Sequence, residues 1–406
     1  MARFPLISVL LAMIAAPLAA QVAVPGVAVP RVGEVLGQVG ELAGTTLDRT
    51  AQDARELART RLQRIEGLVR SNRATIERDA RGDPARRGEL LVVDAQAAAL
   101  LAASPAGFGI IETIELDELG IQVTRLRIPA GRDLDAAEKD LADLVPEAIL
   151  APDNLHFPAG DAVALGLTSA ASTGAGGGVA VGLIDGAPGK SVSVTATRGF
   201  AEGAPYPSNH GSAVASLLAS EHAGPIRVAD VYGTDKAGGN ALAIARGLGW
   251  LVGEGSRVVT ISLVGPKNPL LERAIAAARR RGVIVVAAVG NDGPAAPPAY
   301  PASYDGVVAV TGVDGRRRAL IETGRALHLD YAAPGADIRA IDARGKRIRV
   351  RGTSFATPLV AARLARALHG GGNWRRTLDR EAEDLGRRGA DPVFGRGLLC
   401  GSCAGR

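Results

Sequence analysis

The sequence Val-Ala-Val-Gly-Leu-Ile-Asp-Gly, at residues 179–186, is the strongest indication of the fold. An apolar run that ends in Asp-Gly is typical of a strand buried on both faces of a parallel sheet. Similar runs follow it, and stretches with helical periodicity separate them. The predicted strands are 179–184, 227–231, 258–261, 283–289 and 307–310, and the predicted helices are 212–219, 241–251 and 269–280. This alternation predicts an α/β domain at residues 179–399 with a doubly wound, mostly parallel sheet.

Polar residues follow three of these strands: Asp185 and Ser262 directly, and Asn291 after Gly290. The carboxyl ends of parallel strands meet at one edge of a sheet, where ligands bind. His210 and Ser354 precede helices of small residues, and a helix N-terminus offers free N–H groups and the positive end of the helix dipole. We therefore expect these five residues to lie close together.

The types and order of these residues indicate nucleophilic catalysis. A serine nucleophile needs a base, and the base needs an orienting carboxylate, which Ser354, His210 and Asp185 would supply. The chain order Asp, His, Ser is one of the known orders of such a triad. Asn291 would donate an N–H group to the developing oxyanion. Pro358 is expected in the first turn of the helix after Ser354, where its missing N–H costs nothing.

Several stretches, taken together, resemble the subtilisin family of serine proteases (peptidase S8). Residues 352–358, Gly-Thr-Ser-Phe-Ala-Thr-Pro, match its serine motif at every position. The other similar stretches are 181–186 (the aspartate strand), 210–216 (the histidine helix), 290–293 with 300–304 (the oxyanion loop) and 331–335 (the turn before the serine loop). The likeness covers roughly residues 175–370, with the motifs in the family's order.

The resemblance implies a substrate cleft and a catalytic apparatus. It implies that Asp185, His210 and Ser354 are catalytic and that Asn291 forms the oxyanion hole. Substrate would pair with Ser262, Leu263, Val264 and Gly265 on one side and with Gly238 and Gly239 on the other. Val264 and Val289 stand where smaller residues are usual, so we expect a narrow S1 region. The resemblance implies that the chemistry requires no cofactor and no catalytic metal. It leaves open whether this chain binds structural calcium.

The N-terminal half is predicted to contain segments that the mature enzyme lacks. Residues 1–20 resemble a signal peptide, with Arg3 before an apolar run at 6–15 that is too short to span a bilayer. A single-pass anchor is the alternative. Residues 21–87 are a lead-in with an amphipathic helix at 46–80, which we expect to pack on its own protein in preference to a partner.

Residues 88–157 show the order β-α-β-β-α-β of a ferredoxin-like split βαβ module. The family resemblance implies that this module is an inhibitory pro-domain, with self-cleavage expected near 152–157. Residues 158–178 form a predicted Gly-rich linker, and residues 400–406 a tail. In the tail, Cys400 and Cys403 are either disulfide-bonded or free thiols.

Composition and motifs exclude other classes of function. The formal net charge is only +5, and no basic helix is interleaved with aromatic residues, so no nucleic-acid partner is expected. The sequence has no His-Glu-x-x-His motif of a zinc protease. We therefore expect a periplasmic or extracellular serine endopeptidase, made as a pro-enzyme and acting on proteins or peptides without a stable membrane anchor. The alternative is a latent, non-cleaving binding protein on the same scaffold.

Overall fold

A computed structural model describes residues 43–168, 178–222 and 224–403. The predicted signal peptide at 1–20, the lead-in before residue 43, the linker residues 169–177 and the tail residues 404–406 lie outside this range. Within the described part of the chain, every helix falls short of the length and apolarity that a membrane span requires.

The region before the linker contains one long helix and a small α/β unit. Helix α1 spans Ala43–Ser71. The strands are β1 (Ile76–Arg78), β2 (Pro84–Val93), β3 (Gly109–Leu116), β4 (Ile121–Arg127) and β5 (Ile149–Asn154), and the helices are α2 (Ala97–Ala103) and α3 (Leu134–Leu144). From β2 to β5 the order is β-α-β-β-α-β, in an antiparallel sheet that β1 extends beside β2.

Helix α1 is shorter than its sequence pattern indicates. The pattern predicts a helix over 46–80, whereas the helix ends at Ser71 and β1 follows. The Asn72 side chain donates to Leu68 O at 2.9 Å, which satisfies a carbonyl at the helix end. Ile76 is then fully buried as part of the sheet. Burial of Ile76 in a strand therefore overrides the helical period.

The larger domain is built on a seven-stranded sheet in which every pairing is parallel. Its strands are β8 (Val181–Asp185), β9 (Ala196–Gly199), β10 (Ile226–Asp230), β11 (Val258–Ile261), β13 (Ile284–Ala288), β14 (Val308–Val313) and β15 (Tyr331–Pro334). The order across the sheet is β15-β14-β13-β11-β8-β10-β9. The change of direction beside β8 opens a crevice at the carboxyl edge, where ligands bind in such sheets.

Helices cover both faces of this sheet and produce two apolar cores. The helices are α4 (Asn209–Glu221), α5 (Ala241–Gly253), α6 (Pro269–Arg280), α7 (Thr353–His369) and α8 (Trp374–Glu381). Helices α4 and α7 share one core, in which the disulfide-bonded Cys400 and Cys403 are also buried. Helices α5 and α6 share the other core with one face of the β2–β5 sheet, so the small unit is seated on the large domain.

Five short strands lie outside these two sheets. They are β6 (Phe157–Pro158), β7 (Asp161–Thr168), β12 (Leu263–Val264), β16 (Ile338–Ile341) and β17 (Lys346–Arg351). Strand β6 pairs antiparallel with β12, and β7 pairs antiparallel with β17. Part of the predicted linker is therefore a strand, because residues 161–168 find a partner almost two hundred residues further along the chain.

Helix α1 is fixed to the rest of the protein by charge and by apolar contact. Arg61 bridges Asp83, at 3.1 Å, and Asp292, at 3.4 Å, while Arg64 contacts Asp292 at 2.8 Å. Ile65 is buried, and a β-carbon on Gly293 would lie 3.0 Å from Leu57. The helix thus packs on its own protein and links the small unit to the loop after β13.

We predict that Arg61→Ala weakens the docking of helix α1, whereas Arg70→Ala does not. Arg61 is partly buried between two carboxylates, while Arg70 pairs only with exposed Glu66 on the same helix. Loss of Arg61 should lower the free energy of helix opening by about 1 kcal/mol. Hydrogen–deuterium exchange over residues 43–71 measures this, and equal exchange in the two variants would contradict the assignment.

Candidate active site

Strand β8 and helix α4 bring Asp185 and His210 into contact. Ser208 caps α4 by accepting from Gly211 N, which sets His210 in the first turn, slightly earlier than the predicted helix start. His210 Nδ1 lies 3.0 Å from Asp185 Oδ1 and 2.9 Å from Oδ2. A carboxylate only accepts, so Nδ1 is the ring nitrogen that donates in this contact. Among the described residues, Nε2 is buried and has no hydrogen-bond partner.

Ser354 lies at the N-terminus of helix α7, fully buried beside this pair. The ring of the next residue, Phe355, packs on the His210 ring with centroids 5.4 Å apart. Ser354 Oγ donates to Ser262 O at 2.9 Å and makes no hydrogen bond to the imidazole. The structure therefore joins Asp185 to His210 by hydrogen bonding and sets Ser354 nearby, with its hydroxyl directed to the carbonyl that precedes β12.

Pro358 lies deeper in helix α7 than its motif predicts. The helix begins at Thr353, so Pro358 is past the first turn, and the prediction of a first-turn proline is wrong. Without an N–H on Pro358, Ser354 O loses its intrahelical donor. Ser262 Oγ donates to that carbonyl at 2.9 Å in its place. Ser262 is consequently bonded to Ser354 through both its hydroxyl and its carbonyl.

Asn291 is fixed with its amide N–H group directed towards the site. Its Oδ1 accepts from Thr353 N at 3.0 Å, and Thr353 Oγ1 accepts from Gly290 N at 3.1 Å. Gly352, between these groups, has φ +139°, and a β-carbon there would lie 2.5 Å from Asn291 Nδ2 and 2.7 Å from Ala159 O. Only glycine allows the amide and that carbonyl to approach so closely.

The chain's own residues 157–160 occupy the cleft beside these groups. Ala159 N donates to Ser262 O at 3.1 Å, and Ser354 N donates to Ala159 O at 2.9 Å. Before Ala159, β6 pairs with β12; after Gly160, β7 begins with Asp161 opposite Arg351. The Ala159–Gly160 peptide bond therefore lies over the start of helix α7.

Most of the predicted substrate-binding residues contact this segment or His156, which directly precedes it. Leu263 and Val264 pair with it, Ser262 O accepts from it, and Gly239 O accepts from His156 N at 2.8 Å. Gly265 exchanges backbone bonds with Tyr300 and touches the segment through the His156 ring. The N–H of Gly238 instead closes a turn by donating to Asp235 O, so it is not used to hold the segment.

Sequence reasoning missed the pocket that holds His156. The side chain is fully buried, and a β-carbon on Gly265 would lie 2.5 Å from its ring. Tyr232 Oη donates to His156 O at 2.7 Å, and burial raises the pKa of Tyr232 well above its usual value. Burial also lowers the pKa of His156 to about 4, against a weaker opposing effect from its contact with Asn154 O. His156 is therefore neutral in the folded protein near neutral pH.

The described residues contain one group of three side chains close enough to share a metal ion. It consists of Glu221, Cys400 and Cys403, and the two cysteine sulfurs are bonded to each other in the disulfide. Structural calcium therefore remains a prediction.

Comparisons with known proteins agree on a family. The model of the subtilase family (peptidase S8) matches residues 192–397, a range that includes His210, Asn291 and Ser354 and begins after Asp185. Subtilisin Savinase of Lederbergia lenta is 32% identical over 212 residues, covering 48% of this chain and 77% of that protein. An alkaline protease of Shouchella clausii is also 32% identical, and the match spans about half of its length, 55%.

A solved structure shares the fold. Fervidolysin from Fervidobacterium pennivorans, a keratinolytic enzyme related to subtilisin, superposes with a TM-score of 0.65 at 18% identity. The match covers 81% of this chain and 63% of that chain. Because it covers so much of this chain, the likeness extends beyond residues 192–397.

We predict that His156 makes the folded chain less stable in acid. Its pKa rises from about 4 to its ordinary 6.5 on unfolding, so the unfolded chain binds more protons and stability is lost as the pH falls from 6.5 to 4. The loss is about 3 kcal/mol at pH 4. Buried Asp153, whose pKa is raised to about 6, acts in the opposite direction, so a difference between variants is required.

Denaturant unfolding of Ser354→Ala and of Ser354→Ala/His156→Gln from pH 7 to pH 4 isolates this contribution. Both variants lack the Ser354 hydroxyl and retain Asp153. The stability advantage of the His156 chain should shrink by about 3 kcal/mol over this range. A difference that stays constant with pH would show that His156 is not neutralised by burial.

Proposed function

Because the chain belongs to the subtilase family of serine proteases, we propose that it is an exported endopeptidase, made as an inactive precursor, that cleaves proteins or peptides with Asp185, His210 and Ser354. The observation that carries the proposal is the pose of residues 157–160. They cross the cleft as an extended strand, with the Ala159 carbonyl on the N–H of Ser354 at 2.9 Å. A bound substrate would need the same backbone contacts.

The proton transfers follow from the hydrogen bonds of the three residues. Ser354 Oγ would exchange its bond to Ser262 O for one to His210 Nε2, which has no other partner among the described residues. The imidazole would take the hydroxyl proton as Oγ attacks, and return it to the leaving amine. Asp185 would stabilise the imidazolium and hold Nδ1 as the protonated nitrogen.

The charge that develops on the substrate carbonyl would meet two donors. Ser354 N already donates to the carbonyl of Ala159, and Asn291 Nδ2 is directed to the same region by the bond of Asn291 Oδ1 to Thr353 N. Both donors are fixed before the reaction, so no reorganisation is required when the oxyanion forms. The N-terminus of α7 adds the positive end of its dipole.

Contacts of the small unit support its role as an intramolecular inhibitor. Asp153 Oδ1 accepts from Leu242 N at the start of α5, at 2.9 Å. Asn268, the cap of α6, donates to Pro152 O at 2.8 Å and to Asn154 Oδ1 at 3.0 Å. These buried bonds hold the strand that leads into residues 157–160, so the unit keeps the cleft filled.

Export is supported by the C-terminal disulfide. Disulfides persist in oxidising compartments such as the periplasm and the extracellular medium. The bond between Cys400 and Cys403 is therefore consistent with the signal peptide proposed for residues 1–20. N-terminal sequencing of the protein recovered from its host tests this proposal. Retention of residues 1–20 would contradict the removal of a signal peptide during export.

The alternative function is a latent binding protein that never cleaves. The filled cleft favours this alternative, because the site is closed to other chains while residues 157–160 remain in place. A fluorophosphonate probe separates the two. Labelling of Ser354 in the protein from its host supports the protease, whereas a chain that remains full-length and unlabelled supports the binding protein.

We predict that Ser354→Ala abolishes both peptide hydrolysis and conversion, by which we mean self-cleavage of the full-length chain to a shorter form. The substitution removes the nucleophile, while the matched control Ser256→Ala removes a buried serine hydroxyl that has no hydrogen-bond partner among the described residues. Electrophoresis of the purified chains over time measures conversion. Equal conversion in the two variants would refute the assignment of Ser354.

We predict that Asn291→Leu slows conversion by on the order of 10²–10³, the magnitude known for this donor in a subtilisin. The leucine keeps the approximate volume and loses both the N–H group and the Oδ1 that accepts from Thr353 N. Conversion of the full-length chain is a single turnover, so its first-order rate reports the chemical step without a contribution from substrate capture. An unchanged rate would remove Asn291 from the oxyanion hole.

A further inference from the structure

Gly160 lies where no side chain fits. A β-carbon at this position would be 2.6 Å from Phe355 Cε2 and 3.2 Å from both Phe355 Cδ2 and Arg351 O. Phe355 is fully buried and its ring packs on the His210 ring, so it cannot withdraw without disturbing the imidazole. The residue that follows the Ala159–Gly160 peptide bond must therefore be glycine.

Ala159 fills a pocket that has room for a methyl group and little more. The residue is 1% exposed and packs with Val264, Ala288 and Ala299. Val264 also lies over Gly290, where a β-carbon would be 3.3 Å from Val264 Cγ1. Of the two valines expected to narrow this region, Val264 packs against Ala159, whereas Val289 packs in the core of helices α5 and α6 and also lines the neighbouring cavity.

A cavity of about 210 Å³ lies behind Val264, towards helix α1. Val264 and Ala299 line both this cavity and the pocket of Ala159. The space for a larger side chain thus exists, and the branched side chain of Val264 separates it from the residue before the bond. Removal of the two methyl groups of Val264 would join the two spaces.

We propose that Val264 and Phe355 restrict this protease to bonds between alanine and glycine, and that its first substrate is the Ala159–Gly160 bond of its own chain. The inference rests on the proposed function and specifies the bond on which that function acts. Both restrictions follow from contacts of the uncut chain, in which the segment is held on both sides of the bond by β6 and β7.

The reaction at this bond balances with water alone. Ser354 Oγ bonds to the carbonyl carbon of Ala159, and the bond from that carbon to Gly160 N breaks. His210 transfers the proton of Oγ to Gly160 N, which leaves as an amine. Water then hydrolyses the ester and regenerates the Ser354 hydroxyl, and the carboxylate of Ala159 is released.

The first experiment compares conversion of full-length chains. The native chain should yield a new N-terminus at Gly160, and Gly160→Ala should slow conversion by about 100-fold, since a small displacement of the reacting bond has an effect of this size. Gly109→Ala is the matched control, because its added β-carbon would approach nothing closer than 4.0 Å. In a Phe355→Ala background, the ratio of conversion rates with and without Gly160→Ala should fall close to one.

The second experiment first varies the peptide and uses the converted native protein, so that folding of a variant cannot affect the comparison among peptides. An internally quenched peptide with residues 154–163 of the chain should be cleaved, and the same peptide with Gly160→Ala or Ala159→Phe should be cleaved about 100-fold more slowly. Protein that carries Val264→Gly should recover cleavage of the Ala159→Phe peptide and should not recover cleavage of the Gly160→Ala peptide.

The outcomes separate the inference from the function on which it rests. A native chain that neither converts nor reacts with a fluorophosphonate overturns the proposed function and the inference together. A native chain that is labelled but cleaves elsewhere, or that cleaves the three peptides equally fast, overturns the inference alone. Cleavage at Gly160 with the stated pattern of losses and recoveries supports it.

Discussion

Hydrogen bonds of the Ser262 backbone and side chain connect this residue to Ala159 in the cleft and to Ser354 at the start of helix α7. Its carbonyl accepts from Ala159 N and from Ser354 Oγ, and its hydroxyl donates to Ser354 O. Ser262, between β11 and β12, therefore sets the start of helix α7 and the register of the segment in the cleft. Because Pro358 leaves Ser354 O without its helical donor, the bond from Ser262 also satisfies a buried carbonyl that would otherwise be unpaired.

The carboxylate of Asp185 is buried in the site and depends on hydrogen bonds from its neighbours. Asp185 is 1% exposed, and an ionised group at that depth requires hydrogen bonds to replace its water. Gly186 N donates to Oδ1 at 2.7 Å and His210 Nδ1 at 3.0 Å. The same two bonds that stabilise the charge fix the orientation and the tautomer of the imidazole. The imidazole is thus positioned by the hydrogen bond that it makes to the buried carboxylate of Asp185.

The sequence was sufficient to predict the elements whose signals are local. Apolar runs predicted the central strands, and the short polar stretches that follow these runs predicted that Asp185, Ser262 and Asn291 lie along one edge of the sheet. Pairings between distant residues have no such signal: β7 finds β17, and Ile76 is buried in a sheet although the surrounding pattern is helical. The orientation of Ser354 Oγ and the pocket that holds Ala159 also depend on those pairings. No pattern within the motifs predicts either feature.

Helix α1 connects the small unit to the loop beside the candidate site. Arg61 joins Asp83 of the small unit to Asp292, and Asp292 is adjacent to Asn291. Leu57 covers Gly293 in the same loop, while Arg64 lies 6.0 Å from the ring centroid of Phe157 in the segment that fills the cleft. The helix therefore contacts both the segment in the cleft and the loop that carries Asn291. Under the proposed function, a cut after residue 159 would free the end of this segment but leave the helix contacts intact, so release of the small unit would also require the helix to detach.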